Sequence, residues 1–338
     1  MMKTFVTGAT GLLGNNLVRQ LRARGHDVTG LIRSPEKAEM LLGNLEVDWV
    51  VGDVRAPDGF ASALEGCDVV FHTAAYFREY YQPGDHQRVL QETNVAATLA
   101  LIRLANERGV HKFLHTGSSG MIGAEPDGSP SDEESPPPSL AADNLYFKSK
   151  LEAAAAIRAF ESPHGMAVIE ILPGWMWGPG DAGPTSAGQL ALDFLAHKLP
   201  GVPPGGMEVV DARDVASAMI AAAERAAHGA RYLVAGHPMT LGDIFAALEQ
   251  ASGVRAPRLR IPYALAMLFA AFEEARSRWT GKPAKVTRTG MKTMNLHRLV
   301  SSRRAESELG VTFRPFADTA RAVVDWYRTQ AARREAET

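Results

Sequence analysis

Tyr146 and Lys150 stand four residues apart in Tyr146-Phe147-Lys148-Ser149-Lys150, the spacing that puts two side chains on one face of a helix. A phenol with an ordinary pKa of about 10 is a poor acid or base near neutrality. An adjacent ammonium stabilises its phenolate and brings proton exchange into range. Alone the pair proves little, because Tyr-x-x-x-Lys recurs by chance on exposed helices. Thr7-Gly8-Ala9-Thr10-Gly11-Leu12-Leu13-Gly14 supplies a context, with three glycines spaced three apart between an apolar run and a helical pattern. Gly8 permits a tight turn, Gly11 lets backbone N–H groups approach a pyrophosphate at a helix N-terminus, and Gly14 lets helix and strand pack closely. An ordinary strand-to-helix turn is the alternative; the strand-turn-helix setting favours a dinucleotide.

The elements that must place these residues alternate through the first half. Apolar or β-branched runs at Lys3–Thr7, Val28–Ile32, Glu46–Val51, Val69–His72, Lys112–His115 and Ala167–Leu172 read as strands. Helical patterns lie between them, near Leu12–Arg24, Pro35–Leu42, Gly59–Leu64, Gln87–Arg108 and Leu145–Phe160, several closed by a glycine. Such βαβ units predict an α/β fold, a Rossmann-type doubly wound parallel sheet with a smaller, mostly helical C-terminal lobe. Residues 1–172 are expected to form the NAD(P)-binding domain and 173–338 mainly a substrate lobe. Within the latter, 208–236 returns to the core through a strand at Glu208–Val210, a helix at Val215–Ala227 and a strand at Arg231–Val234. Glu125–Ala142 is rich in Pro, Ser and acids without period, hence a loop able to shape a pocket ahead of Tyr146. The charged tail beyond Arg328 is expected to fray.

Composition narrows the partner. The 36 Lys and Arg against 38 Asp and Glu leave a net charge of -2 over 338 residues, which gives no general reason to expect nucleic acid or an anionic membrane. A small molecule remains. The single cysteine, Cys67, can build neither an internal disulfide nor a cysteine zinc site, so the cytoplasm and no metal are expected. The opening residues run into the glycine turn without a signal-peptide pattern, so the first strand is expected to begin the mature chain. Tyr263–Phe272 is far shorter than the ~20 residues of a membrane span and is followed by Glu273 and Glu274. It predicts a buried or ligand-covering helix, with membrane contact the lesser alternative, and no membrane span.

The second strand ends Gly30-Leu31-Ile32-Arg33. An NAD-preferring protein places an acid there for the ribose 2′-hydroxyl, whereas Arg33, with Lys37 close behind, complements a 2′-phosphate. NADP(H) is therefore expected over NAD(H), the alternative being a solvated Arg at a strand end. Thr73, Ala74 and Ala75 close the fourth strand and are small enough for a cofactor to lie against the backbone, while His72 reads as packed.

The T-G-x-x-G-x-x-G spacing and the Tyr146–Lys150 pair together resemble the extended short-chain dehydrogenases/reductases, the NAD-dependent epimerase/dehydratase family. The resemblance covers nearly the whole chain and is most specific over residues 4–180. It implies that Gly8, Thr10, Gly11, Leu12, Leu13 and Gly14 hold NAD(P). Gly52-Asp53-Val54 resembles the family's G-D segment, which implies that Asp53 and Val54 hold the adenine; an Asp that only opens a turn is the alternative. Thr116-Gly117-Ser118-Ser119-Gly120 resembles S-S-x-x-V-Y-G, with Met121-Ile122-Gly123 in place of V-Y-G. The match implies that Ser118 polarises a carbonyl or hydroxyl, Tyr146 moves the proton, Lys150 bonds the nicotinamide ribose, and C4 of the nicotinamide moves the hydride. Asn94, in Asn94-Val95-Ala96-Ala97-Thr98, resembles the N-V-x-G-T segment, which implies that Asn94 helps position the active-site backbone and belongs to the cofactor site. Leu172-Pro173-Gly174-Trp175-Met176-Trp177-Gly178-Pro179-Gly180-Asp181 resembles R-P-x-x-V-Y-G-P-G-D, the loop over the nicotinamide, which brings in Pro173. Asp211-Ala212-Arg213-Asp214-Val215-Ala216 resembles the V-x-D-V-A that returns the chain to the core.

Departures from these patterns bear on the reaction. Dehydratases of the family carry an Asp-Glu pair after the catalytic hydroxyl; Ser119-Gly120 has no carboxylate, so elimination is not expected. Sugar epimerases carry R-x-x-N where this chain has Leu172 and Trp175. An apolar or aromatic substrate cavity is expected instead, from Tyr76, Phe77, Tyr80, Tyr81, Trp175 and Trp177 with Ser119 beside them, although some of these read equally as core or surface aromatics. Lys282–Val286 and Ser301–Gly310 resemble the dihydroflavonol reductase-like subgroup. The reading is NADPH-dependent reduction of a ketone or aldehyde on an apolar or aromatic small molecule. The alternatives are an NAD-dependent nucleotide-sugar epimerase and an NmrA-like non-catalytic cofactor sensor, which has no need of Ser118, Tyr146 and Lys150 together. The resemblance also implies a homodimer through helices.

Overall fold

A computed structural model describes residues 1–77, 86–139, 144–282, 284, 286–296 and 298–336, leaving out the side chains of 334 and 336. β1 (Lys3–Thr7) leads through the glycine turn into α1 (Leu12–Ala23). The alternation continues with β2 (Asp27–Ile32), α2 (Pro35–Leu42), β3 (Asp48–Val51), a 3-10 stretch at Pro57–Leu64 and β4 (Val69–His72). Next come α3 (His86–Leu90), a π-helical stretch at Gln91–Ala96, α4 (Ala97–Glu107), β5 (Lys112–Thr116), α5 (Leu145–Arg158), β6 (Ala167–Pro173) and β7 (Trp175–Trp177). The remainder comprises α6 (Ser186–Leu195), β8 (Gly206–Asp211), α7 (Ala212–Arg225), β9 (Arg231–Val234), β10 (His237–Thr240), α8 (Leu241–Ser252), α9 (Tyr263–Thr280), α10 (Arg288–Met294), α11 (Arg303–Leu309) and α12 (Phe316–Ala336).

Seven parallel strands form one sheet in the order β3-β2-β1-β4-β5-β6-β9, the doubly wound arrangement the sequence predicts. Alternate residues of its strands feed two cores: Phe5, Val70 and Phe113 pack with α4 on one face, and Val6, Phe71 and Leu114 with α1 and α7 on the other. At about 1.5–3 kcal/mol for each buried large apolar side chain, burial on both faces holds the sheet. The strand order reverses between β1 and β4, and the crevice beyond their carboxyl ends is where such sheets bind ligands. β7, β8 and β10 form a second, three-stranded sheet, whose core with α6, α8 and α12 centres on Trp177 and Phe245.

Several elements differ from the sequence expectation. The helix read as Gln87–Arg108 is interrupted by the π turn that carries Asn94. The strand at Glu208–Val210 belongs to the small sheet, while α7 and β9 pack with the large one. The tail beyond Arg328 continues α12 to Ala336, because that helix is anchored by buried Val324 and Tyr327 and by an Arg328 hydrogen bond to the Ser252 carbonyl. The loop Glu125–Ala142, described as far as 139, is strapped down by a Ser131–Val300 bridge and by Glu133, whose carboxylate accepts the Leu233 N–H. Tyr263–Phe272 does form a helix, but of its two expected placements the buried one fails, since Leu265, Leu268, Phe269 and Phe272 are exposed. Among the described residues no helix is long and apolar enough to cross a membrane.

Candidate active site

The glycine turn is sterically closed to side chains. Gly8 has a φ of +68°, and a Cβ there would lie 2.8 Å from the Ala74 nitrogen; one on Gly14 would lie 2.1 Å from the Gly8 carbonyl oxygen. α1 starts from Gly11 with no side-chain cap, so its positive end opens onto the cavity that Gly8, Thr10, Gly11, Leu12, Leu13 and Gly14 line. Arg33, Lys37, Val54, Thr73, Ala74 and Ala75 line the same cavity, as does Asp53. These residues fit a dinucleotide: a cradle without Cβ atoms, an uncapped helix end for phosphate, and two cations after β2. Asp53 departs from expectation in one respect. Its carboxylate is taken up by Arg55, which donates from Nε at 3.0 Å, Nη2 at 2.8 Å and the backbone at 2.9 Å, and this pairing holds its pKa below the usual carboxylate range.

Local chemistry fixes where the titrating groups stand. Asn144 caps α5, its Oδ1 accepting the N–H groups of Tyr146 at 3.1 Å and Phe147 at 3.2 Å, so Tyr146 enters in the first turn. Its ring lies 4.6 Å from that of Phe77. One turn on, Lys150 is 2% exposed and its Nζ donates to the Thr116 carbonyl at 2.7 Å. Burial lowers its pKa to about 8, with the Glu170 carboxylate offsetting part of the shift. Ser118, just past β5, accepts the Gly120 N–H on its Oγ at 3.1 Å, which leaves its own hydroxyl hydrogen to donate elsewhere. Ser118, Tyr146 and Lys150 all line one cavity of about 2130 Å³, roomier than the ~300–1,000 Å³ of an ordinary small-molecule pocket.

Behind this wall runs a polar row. Thr7, His72, His115, Glu170 and Arg231 are in register across β1, β4, β5, β6 and β9, and in-register neighbours share one face of a sheet. His72 contacts Thr7 Oγ1 at 2.8 Å and Thr98 Oγ1 at 3.0 Å, and burial with the Lys150 charge pushes its pKa down to about 3. His115 is pushed well down by the same causes, and neither ring nitrogen has a hydrogen-bond partner among the described residues. Glu170 lies 3.2 Å from Arg231 Nε, and burial raises its pKa. Both histidines are therefore neutral, and Glu170 is the carboxylate whose field reaches Lys150.

Two expected site residues are corrected. Asn94 does not line the cavity. The π turn carries it inward, where it accepts the Tyr76 N–H at 2.8 Å and donates to the Tyr76 carbonyl and Ser149 Oγ, each at 3.1 Å. Ser149 in turn donates to the Tyr146 carbonyl at 2.8 Å, so Asn94 braces the Tyr76 backbone and the helix of Tyr146, the positioning role the resemblance implies, without itself lining the cofactor cavity. Trp177 is 1% exposed and absent from the cavity wall. It sits one strand repeat beyond Trp175, where α12 closes over β7, edge-on to Trp175 at 5.1 Å and to Phe316 at 5.4 Å. Tyr76, Phe77, Ser119, Pro173 and Trp175 do line the cavity. Tyr80 and Tyr81, and Pro283 and Lys285 within Lys282–Val286, lie outside the described residues.

Sequence reasoning missed Arg298. Its side chain is 9% exposed, and the guanidinium donates to the Ser119 carbonyl at 2.7 Å, the Ser119 hydroxyl at 3.2 Å and the Ile122 carbonyl, and lies 3.5 Å from Glu208. It ties the turn after β5 to the C-terminal lobe. No local spacing marks it. Met291, also on the wall, escaped for the same reason, whereas Leu265 and Phe269 line it from the helix expected to be buried or to cover a ligand.

A family model described as the NAD dependent epimerase/dehydratase family matches residues 4–235. A Synechocystis sp. protein, named only provisionally as a dihydroflavonol 4-reductase, is 30% identical over 329 residues, 96% of this chain and 94% of that one. Sterol demethylase protein B of Methylococcus capsulatus is 32% identical over 333 residues, 97% of this chain and 98% of its own. The crystal structure of a protein designated gox2253 superposes with a TM-score of 0.82 at 31% identity, covering 98% of this chain and 99% of that one.

Proposed function

The chain belongs to the NAD dependent epimerase/dehydratase family and is an NAD(P)-dependent oxidoreductase of the extended short-chain dehydrogenase/reductase type; from that premise we propose that it reduces a ketone or aldehyde on an apolar small molecule. The observation that carries this reading is the single cavity in which the glycine cradle, the Ser118–Tyr146–Lys150 wall and an apolar half meet. The apolar half includes Phe77, Trp175, Leu265 and Phe269, with no Asn at position 175 to grip a nucleotide sugar. A similar protein named for sterol demethylation agrees with a large apolar substrate. Arg33 and Lys37 at the end of β2 favour a 2′-phosphate, hence NADP(H) over NAD(H). A single, buried cysteine, Cys67, offers no internal disulfide, which agrees with a cytoplasmic protein.

Bound dinucleotide supplies the hydride. Ser118 donates its hydroxyl hydrogen to the carbonyl oxygen while Tyr146 delivers the proton that oxygen takes up. Lys150 has three donors, of which the Thr116 carbonyl uses one; the others serve the phenol and the ribose, and the positive charge keeps the phenolate accessible. The asymmetry between Tyr146, set at the cavity edge by Asn144, and Lys150, locked beneath it, allows the phenol to exchange protons while the amine stays fixed. NADPH oxidation measured against a panel of aliphatic, aromatic and polycyclic ketones tests the proposal. Consumption with the apolar members is expected. Turnover of a UDP-sugar with no consumption on any ketone would replace it with epimerisation.

A further inference from the structure

Helix α9 is inverted. Its buried stripe is Ala266, Ala270, Glu273 and Ser277, while Leu265, Leu268, Phe269, Phe272 and Trp279 stand outside. The five recur at helical steps and so share one outer face. Their exposure runs from 47% at Phe269 to 92% at Trp279, a contiguous patch rather than the scattered apolar residues normal on a surface. Leu265 and Phe269 also line the cavity, which therefore opens at this face.

The charges around the stripe select what covers it. Between residues 255 and 292 the sequence carries nine Lys and Arg against two acids, in a chain whose net charge is only -2. Both acids are neutralised, Glu273 by Arg276 at 2.7 Å and Glu274 by Arg288 at 2.9 Å. Exposed Arg255, Arg258 and Arg260 lead into α9, Arg278 and Lys282 flank its end, and Lys292 stands on α10, which packs against it. A second copy pairing this face with itself about a two-fold axis would set these cations against their own kind, a repulsive pairing. A bilayer with anionic headgroups satisfies both halves of the surface, since apolar side chains enter the acyl boundary and the cations meet phosphates.

We propose that α9 docks the protein peripherally on an anionic bilayer, with the cavity mouth held against the lipid. An apolar substrate then passes from the membrane to the site without crossing water. The docking stands independently of the reaction; only this substrate route rests on the function proposed above.

Vesicles of phosphatidylcholine with and without phosphatidylglycerol, mixed with the full chain and sedimented, test it without any activity readout. The protein should pellet with the anionic vesicles and remain in solution with neutral ones or in high salt. Leu268→Ser, Phe272→Ser and Trp279→Ser combined, at positions that do not line the cavity, should cut partitioning by about a hundredfold. Thermal melting and reduction of a water-soluble ketone should be unchanged in that variant. Arg258→Gln, Arg278→Gln and Lys282→Gln combined should abolish the preference for phosphatidylglycerol while the stripe is intact. Failure of the wild type to bind anionic vesicles, or wild-type binding by the serine variant, overturns the proposal. So does a dimer in sedimentation equilibrium that the serine variant dissociates, because the cover is then a second copy.

Discussion

Along the carboxyl ends of β1, β4 and β5 the cavity wall is largely backbone and small side chains, with Arg33 and Lys37 added after β2, all set by motifs that are local in sequence. The facing wall draws Trp175, Leu265, Met291 and Arg298 from segments far apart. The first wall works by what it omits: a Cβ at Gly8 or Gly14 would strike backbone. The second works by what it brings in, and its polar links run through few buried side chains such as Arg298, which alone joins Ser119, Ile122 and Glu208. The contrast teaches that a cofactor site is specified by short-range geometry, whereas a substrate wall is specified by tertiary packing that each element does not foresee.

Arg298→Met should break the second wall most severely. It leaves Glu208 and the Ser119 and Ile122 carbonyls without their cation, a loss of about 3–5 kcal/mol for a buried pair stripped of one partner. Chemical unfolding measures it, and Arg298→Lys should recover part; an unmoved midpoint would show that the turn after β5 needs no tie to the C-terminal lobe. Gly14→Ala should damage the first wall alone. Accommodating a methyl 2.1 Å from the Gly8 oxygen should cost about 1–3 kcal/mol of dinucleotide affinity, roughly 5- to 150-fold; titration of NADPH at wild-type affinity would contradict the cradle. Arg33→Asp should move the NADP-to-NAD preference by about tenfold, and a ratio that stays put removes Arg33 from coenzyme choice.

The smallest effect sharpens the comparison from below the site. Lys150 must be protonated to hold the phenolate, so the rate falls as pH rises through its pKa of about 8. The Glu170 carboxylate raises that pKa against burial. Glu170→Gln should therefore shift the alkaline limb of the pH–rate profile to lower pH. An unshifted limb would mean that Glu170 carries no charge in the folded protein.

The same contrast explains what could be read in advance. Gly8, Gly11, Gly14, Tyr146 and Lys150 announce themselves because their roles depend on separations of a few residues within one strand-turn-helix or one helix. The parallel sheet follows from alternating runs for the same reason. Trp177 could not be told from Trp175, since two residues of equal type and parity on β7 differ only in whether α12 covers them. Asn94 came from a motif resemblance, and a motif does not tell a side chain that braces backbone from one that also lines the cavity; the π turn aims it at the Tyr76 backbone and Ser149. The apolar run of α9 read as buried or ligand-covering; the first reading fails because Ala and Ser take the inner face, while Leu265 and Phe269 stand on the cavity wall. Arg298 takes its partners among the described residues from segments far away in sequence, Ser119, Ile122 and Glu208.

Tyr146→Phe bears most directly on the central claim, because it deletes the transferable proton while keeping the ring against Phe77. Dinucleotide affinity and ketone turnover should be measured on the same preparation. NADPH binding at wild-type strength with turnover lowered by about 10²–10⁴-fold is the predicted result. Turnover equal to the wild type would contradict the account, whatever the affinity.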